Sequence, residues 1–180
     1  MPPSSSRTPR PRITVEHLRP WLEKIIRLRS HQRNGIRAPH KPLLLLFALG
    51  RLQRTGSTKV TFNEAEGPLR DLLREFGPAR GRLSAEYPFY HLVSDGLWVL
   101  SPIAEIRTGM SPTRRQLLDA DAAGQLVPEL EGVLRASGAS IVLMARMVLD
   151  RNFPPSLHPD ICAAVGLRLE GIEDGVKIEG

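Results

Sequence analysis

Five histidines, one cysteine and nineteen carboxylates are the groups from which this chain could build a metal site, a nucleophile or a general acid–base pair. Their spacing argues against all three. His17, His31, His40, His91 and His158 are scattered, with no HExxH and no run of His, Asp and Glu at metal-ligand separations. Cys162 lies in "DICAAVG", an apolar context of the kind that buries a thiol, and there is no GxSxG elbow to present a serine. A GxxxxGK phosphate cradle is missing too. The one pattern that imitates a metal-dependent nuclease is Asp95 with Glu105 and Arg107 beside an expected β-hairpin. Arg stands there in place of the Lys such a site uses, and Asp95 reads as a turn residue. Neither a catalytic residue nor a metal or other cofactor is expected of this chain.

Basic and aromatic loops remain. "HQRNGIRAPHK" (His31 to Lys41) carries Gln32, Arg33, Asn34, Arg37, His40 and Lys41, residue types that read base edges and grip phosphates. It runs into a helix N-terminus, whose free N–H groups and partial positive charge suit an anion. A plainer reading has His40 and Lys41 decorating a helix start and Asn34-Gly35 making a turn. "PARGRLSAEYPFYHL" (Pro78 to Leu92) places Arg80 and Arg82 around a glycine and ends in a cluster containing both tyrosines of the chain. If that cluster is extended, Tyr87, Phe89 and His91 share one face. If Pro88 breaks the strand, Tyr87, Pro88 and His91 close around one spot. A third segment, "EIRTGM", adds Arg107 and Thr108.

Charge distribution supports a polyanionic partner. Met1 to Lys41 holds ten Lys or Arg against two Glu, an excess of +8, while the whole chain is +6 and the remainder therefore −2. Such asymmetry points to nucleic acid, with a solubilising tail as the bland alternative. No apolar run approaches the roughly 20 residues of a membrane span, and "MPPSSSRTPRPR" has no apolar signal-peptide core. The single cysteine excludes an internal disulfide. A cytoplasmic protein without a membrane partner is expected.

The elements that must hold these loops are mainly helical. The expected fold is a compact α domain with a small antiparallel β-hairpin or sheet. Residues 1–12 form a disordered basic tail, 13–167 the domain, and 168–180 a linker of "EGIEDGVKIEG" type leading to a further domain. Thr14 caps a helix over 15–30, with Pro20 splitting off a first turn. Pro42 opens a helix over 42–54 that is apolar nearly all round and should be the buried centre. A strand "TKVTF" (58–62) precedes a helix capped by Asn63 and running to Phe76. "FYHLVSDGLWVLS" (89–101) reads as a hairpin turning at Asp95-Gly96. Helices follow over 112–120, 125–136 and 138–151, with a last one from Ser156.

"RAPHKPLLLLFALGRL" followed by "YPFYHLVSDGLW" resembles the sulfur-binding domain of phosphorothioation-dependent type IV restriction endonucleases. The resemblance covers about residues 30–110 and implies recognition of double-stranded DNA in which sulfur replaces a non-bridging phosphate oxygen. Sulfur is larger and softer than oxygen and accepts hydrogen bonds poorly, so its pocket should be apolar, with donors aimed at the neighbouring oxygen. The family's Tyr-Pro-x-x-(Ala or His) surface maps onto Tyr87, Pro88 and His91, where the imidazole leaves less room than an alanine. Arg37, His40 and Lys41 are then implied to hold the modified phosphate. Gln32, Arg33 and Asn34 follow for base reading, and Arg80, Arg82, Arg107 and Thr108 for flanking contacts. The resemblance also implies a linked HNH nuclease domain that the module targets, and a homodimer formed through a linked domain. The alternative is an ordinary sequence-specific DNA-binding or transcription-regulator domain that reads with residues 30–41.

Overall fold

The computed structural model describes residues 15–28, 32–33, 36–37, 39–79, 81–106 and 111–170, the first two short pairs as backbone strands. The expected Thr14 cap, the basic tail, the Asn34-Gly35 turn, Arg80, Arg107, Thr108 and most of the expected linker lie outside the described residues.

The first helix, α1 (Val15–Ile26), buries Leu18, Leu22 and Ile25 on one face. It stops at Ile26, short of the expected residue 30, and runs through Pro20, which is exposed and interrupts no buried contact. Strands β1 (Gln32–Arg33) and β2 (Ile36–Arg37) pair antiparallel, Gln32 opposite Arg37 and Arg33 opposite Ile36. The segment expected as a loop therefore contains a short antiparallel strand pair.

Helix α2 (His40–Thr55) begins two residues before the expected start. Pro42 still costs nothing, because it falls within the first turn, where backbone N–H groups have no intrahelical acceptor. Leu43, Leu44, Leu45, Leu46, Ala48 and Leu49 are each at most 1% exposed, so α2 is the central post of the core. Helices on several sides enclose it, as an all-round apolar helix requires. It ends at Gly56, whose φ of +78° is left-handed and whose N–H closes on the Leu52 carbonyl at 2.8 Å.

Strand β3 (Val60–Thr61) feeds α3 (Phe62–Phe76). Thr61 caps this helix, and the expected Asn63 cap is instead inside its first turn. The Thr61 hydroxyl accepts from the Glu64 N–H at 3.2 Å, and the Glu64 carboxylate accepts from the Thr61 N–H at 3.0 Å. This reciprocal capping box satisfies two orphan donors at once.

Residues 89–101 do not form the expected hairpin. Glu86–His91 is a short helix, α4, continued by a 3-10 turn over Leu92–Asp95. Gly96 then turns the chain at φ +73° into β4 (Trp98–Ser101). After α5 (Ile103–Ile106) and α6 (Arg114–Asp119) comes β5 (Ala123–Leu126), the strand that pairs with β4. The antiparallel sheet has the order β3–β5–β4, with Trp98 opposite Leu126 and Val60 opposite Gly124. The expected helix over 125–136 thus begins later, as α7 (Pro128–Ala136). α8 (Gly138–Asn152) packs along both α1 and α2, and α9 (His158–Val165) closes against α2. Gln53 ties the end of the packed chain down, donating to the Arg168 carbonyl at 2.9 Å and accepting its N–H at 2.7 Å. The mainly α class with a small antiparallel sheet matches expectation.

Candidate nucleic-acid interface

Helix α4 holds "EYPFYH", and its period decides which aromatic rings meet. Residues four apart share a helix face. Tyr87 and His91 accordingly lie together, their ring centroids 4.5 Å apart and tilted by 39°. Phe89 points the other way: it is 0% exposed and packs edge-on against Phe62 and Trp98. The extended arrangement, which would have put Phe89 beside Tyr87 and His91, is replaced by this helical one. Pro88, expected as part of an open pocket wall, is buried within α4.

The start of α2 completes the row. His40 brings its ring to 5.9 Å from Tyr87, edge-on at 73°. Its Nε2 donates to the Arg82 carbonyl at 3.0 Å, so His40 also anchors the basic loop before α4. With Nε2 carrying the proton, Nδ1 of the neutral ring is an acceptor. That atom is buried and has no hydrogen-bond partner among the described residues. At the other end, Nε2 of His91 shares a 2.7 Å hydrogen bond with the Ser111 hydroxyl. Ser111 follows directly on the segment that contains Arg107 and Thr108. His40, Tyr87 and His91 therefore form one aromatic row, pinned at one end to the 81–85 loop and at the other to Ser111. Imidazole and phenol faces are apolar with polar edges, which suits a large, poorly hydrated atom beside hydrogen-bonding oxygens.

Lys41, expected to grip a phosphate, has a competing partner inside the protein. Its Nζ lies 2.6 Å from the Asp95 carboxylate, with both side chains only 9% exposed. As the second residue of α2 it places a cation at the positive end of the helix dipole, and Asp95 offsets that unfavourable charge. In this structure the ammonium is therefore turned inward. The same pairing engages Asp95, and Glu105 is exposed on α5. Among the described residues no group of three His, Cys, Asp or Glu could hold a metal ion. The turn is braced from a second side, where Lys24 donates to the Gly96 carbonyl at 3.3 Å. A Cβ on residue 96 would come within 2.8 Å of that ammonium, so glycine serves both the left-handed turn and the close approach.

Of the remaining expected residues, Arg82 is exposed on the loop anchored by His40. Gln32, Arg33 and Arg37 sit on the β1–β2 strand pair a few residues before α2. Asn34, Arg80, Arg107 and Thr108 lie outside the described residues. Sequence reasoning missed Ser111 and the Lys41–Asp95 pair. Nothing local marks either, since their partners are 20 and 54 residues away in the chain.

Solved structures with the same fold include the sulfur binding domain of ScoMcrA complexed with phosphorothioated DNA. It is 23% identical, with a TM-score of 0.71 over 82% of this chain and 95% of that one. The sulfur binding domain of SprMcrA, also complexed with phosphorothioated DNA, is 23% identical with a TM-score of 0.69 over 85% and 96% of the two chains. The type IV phosphorothioation-dependent restriction endonuclease ScoMcrA aligns at 22% identity and a TM-score of 0.65, and the chain spans 27% of its length. No curated protein sequence matches the chain. The model of ScoMcrA-like DNA sulfur-binding domains matches residues 18–170, which takes in every helix from the second turn of α1 to α9. The chain belongs to the family of ScoMcrA-like DNA sulfur-binding domains.

Proposed function

We propose that this domain binds duplex DNA through a phosphorothioate linkage, with the sulfur resting against the His40–Tyr87–His91 row. The observation that carries this reading is the row itself. Three rings from two elements meet at the N-terminal end of the buried post α2, which follows closely in sequence on the strands that carry Arg33 and Arg37. Arg37, Arg82 and the outer edge of His40 hold the modified phosphate and its neighbours. Arg80, Arg107 and Thr108 add flanking backbone contacts, and Gln32, Arg33 and Asn34 face the bases. Pro88 supports the row from within α4.

Two energetic terms are separable here. Discrimination between sulfur and oxygen by an apolar surface is about 1–3 kcal/mol, comparable to one methylene in a pocket. General affinity comes from phosphate neutralisation and falls by roughly 0.9 log unit per log unit of salt for each phosphate engaged. In a longer protein the module would direct cleavage by a linked nuclease domain of HNH type, which would also supply any dimerisation. Among the described residues no single helix is long and apolar enough to cross a membrane. Equilibrium binding of the wild-type domain to one duplex, with and without phosphorothioate, tests the reading. A preference of about ten-fold or more for the modified duplex supports it. Equal affinities would leave only a basic DNA-binding domain.

A further inference from the structure

We infer that Asp95 determines how much of the domain's DNA affinity is indifferent to sulfur, because it withholds Lys41 from the phosphates. The inference rests on the reading of this face as a DNA surface. Lys41 follows His40 directly, so its backbone stands at the edge of the aromatic row. A lysine at the N-terminus of a helix, beside a phosphate site, is the natural donor of a charge-assisted contact to any DNA backbone. Such a contact would strengthen binding to unmodified DNA as much as to modified DNA, because the oxygen left on every phosphate can accept it.

The structure turns that ammonium inward. Nζ of Lys41 and Oδ2 of Asp95 are 2.6 Å apart, and each side chain keeps 9% of its exposure. Two features hold the carboxylate in place. It ends the 3-10 turn that continues from α4, and the following residue, Gly96, takes the left-handed conformation and receives Lys24. Asp95 therefore performs two tasks. It neutralises a cation at the wrong end of a helix dipole, and it ties the first turn of α2 to the helix that carries Tyr87 and His91. A buried ion pair is a poor source of stability compared with apolar packing. Its presence at this position is better explained by the charge it hides. Once the carboxylate is neutralised, an unpartnered ammonium cannot remain at such low exposure, and its four-carbon stem lets the charge move to the surface.

The experiment compares wild type, Asp95→Asn and Lys41→Met/Asp95→Asn on an unmodified duplex across a salt series. Asp95→Asn should bind plain DNA about five- to ten-fold more tightly near 0.1 M salt. Its plot of log affinity against log salt should steepen by roughly 0.9, one further phosphate. The double variant should return to the wild-type slope. A pair with a merely structural role predicts the reverse for Asp95→Asn, namely equal or weaker binding at an unchanged slope, and that result overturns the inference. Should Asp95→Asn not fold, amine acylation of the wild-type domain decides the matter. Lys41 should stay unlabelled, with and without DNA, under conditions that label exposed Lys59, and equal labelling of the two refutes the proposal. Absence of any sulfur preference in the wild type would defeat the proposed function alone, because the slopes on plain DNA are read without sulfur.

Discussion

On the proposed reading Tyr87 is the residue on which sulfur recognition turns, since its ring lies 5.9 Å from that of His40 and 4.5 Å from that of His91. Removing its ring leaves two imidazoles without a common neighbour. Tyr87→Ala should reduce the preference for phosphorothioate over plain duplex to near unity, a loss of about 1–3 kcal/mol. It removes no charge, so the salt slope on plain DNA should stay as in the wild type. Competition binding at two salt concentrations separates those effects, and a Tyr87→Ala domain that keeps its preference would move the sulfur away from this row. Residue types drew attention to the aromatic cluster at Tyr87–His91 and to the basic segment ending in His40, and the family resemblance gave those residues their expected roles. Lys41 was legible as a cation but not as a buried one. Its fate depends on Asp95, 54 residues away, and no local pattern specifies a pairing at that separation.

At the scale of elements, the strongly periodic helices were legible and the short pieces were not. The α2 run declares itself because every turn is apolar. "YPFYH" misled because Tyr and Phe favour strands and five residues fit a period of 2 as well as 3.6. Tertiary context chose the helix, burying Phe89 against Phe62 and Trp98 while leaving Tyr87 and His91 together. The second half of β5 was hidden under the start of the expected helix over 125–136, because "AGQL" has weak preference either way, and pairing with β4 decides it. That pairing depends on Gly124, where a Cβ would collide with the Trp98 indole. Gly124→Ala should destabilise the domain by about 1–3 kcal/mol or more through overpacking, visible as a lower melting temperature and altered tryptophan emission.

The capping box of α3 makes a second prediction at this scale. Thr61→Ala should cost about 1 kcal/mol, the usual value of a lost N-cap. Hydrogen bonds from the Thr61 backbone N–H, and then from its hydroxyl, hold the Glu64 carboxyl below its ordinary range. A carboxyl lowered on folding adds stability above its unfolded pKa and loses it as pH falls through the folded one. The stability gap between wild type and Glu64→Gln, measured by denaturant titration, should therefore be present at neutral pH and shrink in acid. A gap independent of pH would contradict the bond to the ionised carboxylate.

Across the whole molecule, the positive excess lies in residues 1–41 and the helical remainder is slightly acidic. Any affinity that depends on charge alone is therefore expected to draw mainly on this first quarter of the chain. The core behind it is continuous from α1 to α9, so the end of the matched region should open only with the rest. Cys162, on α9, reports this directly: it is 8% exposed and burial pushes its thiol pKa up. Reaction with a thiol reagent should be slow in the native domain and accelerate with denaturant along the unfolding curve. Fast labelling in native buffer would show that α9 detaches separately.

The central claim is tested most directly with one short duplex made in three forms: unmodified, and carrying a single phosphorothioate as either pure diastereomer. Affinities would be measured at two salt concentrations. Sulfur resting against the His40–Tyr87–His91 row occupies one non-bridging position, so one diastereomer should bind about ten-fold or more tightly than the other two duplexes, at both salts. Equal binding of all three, collapsing together as salt rises, would contradict a sulfur pocket and leave phosphate neutralisation as the whole of the affinity.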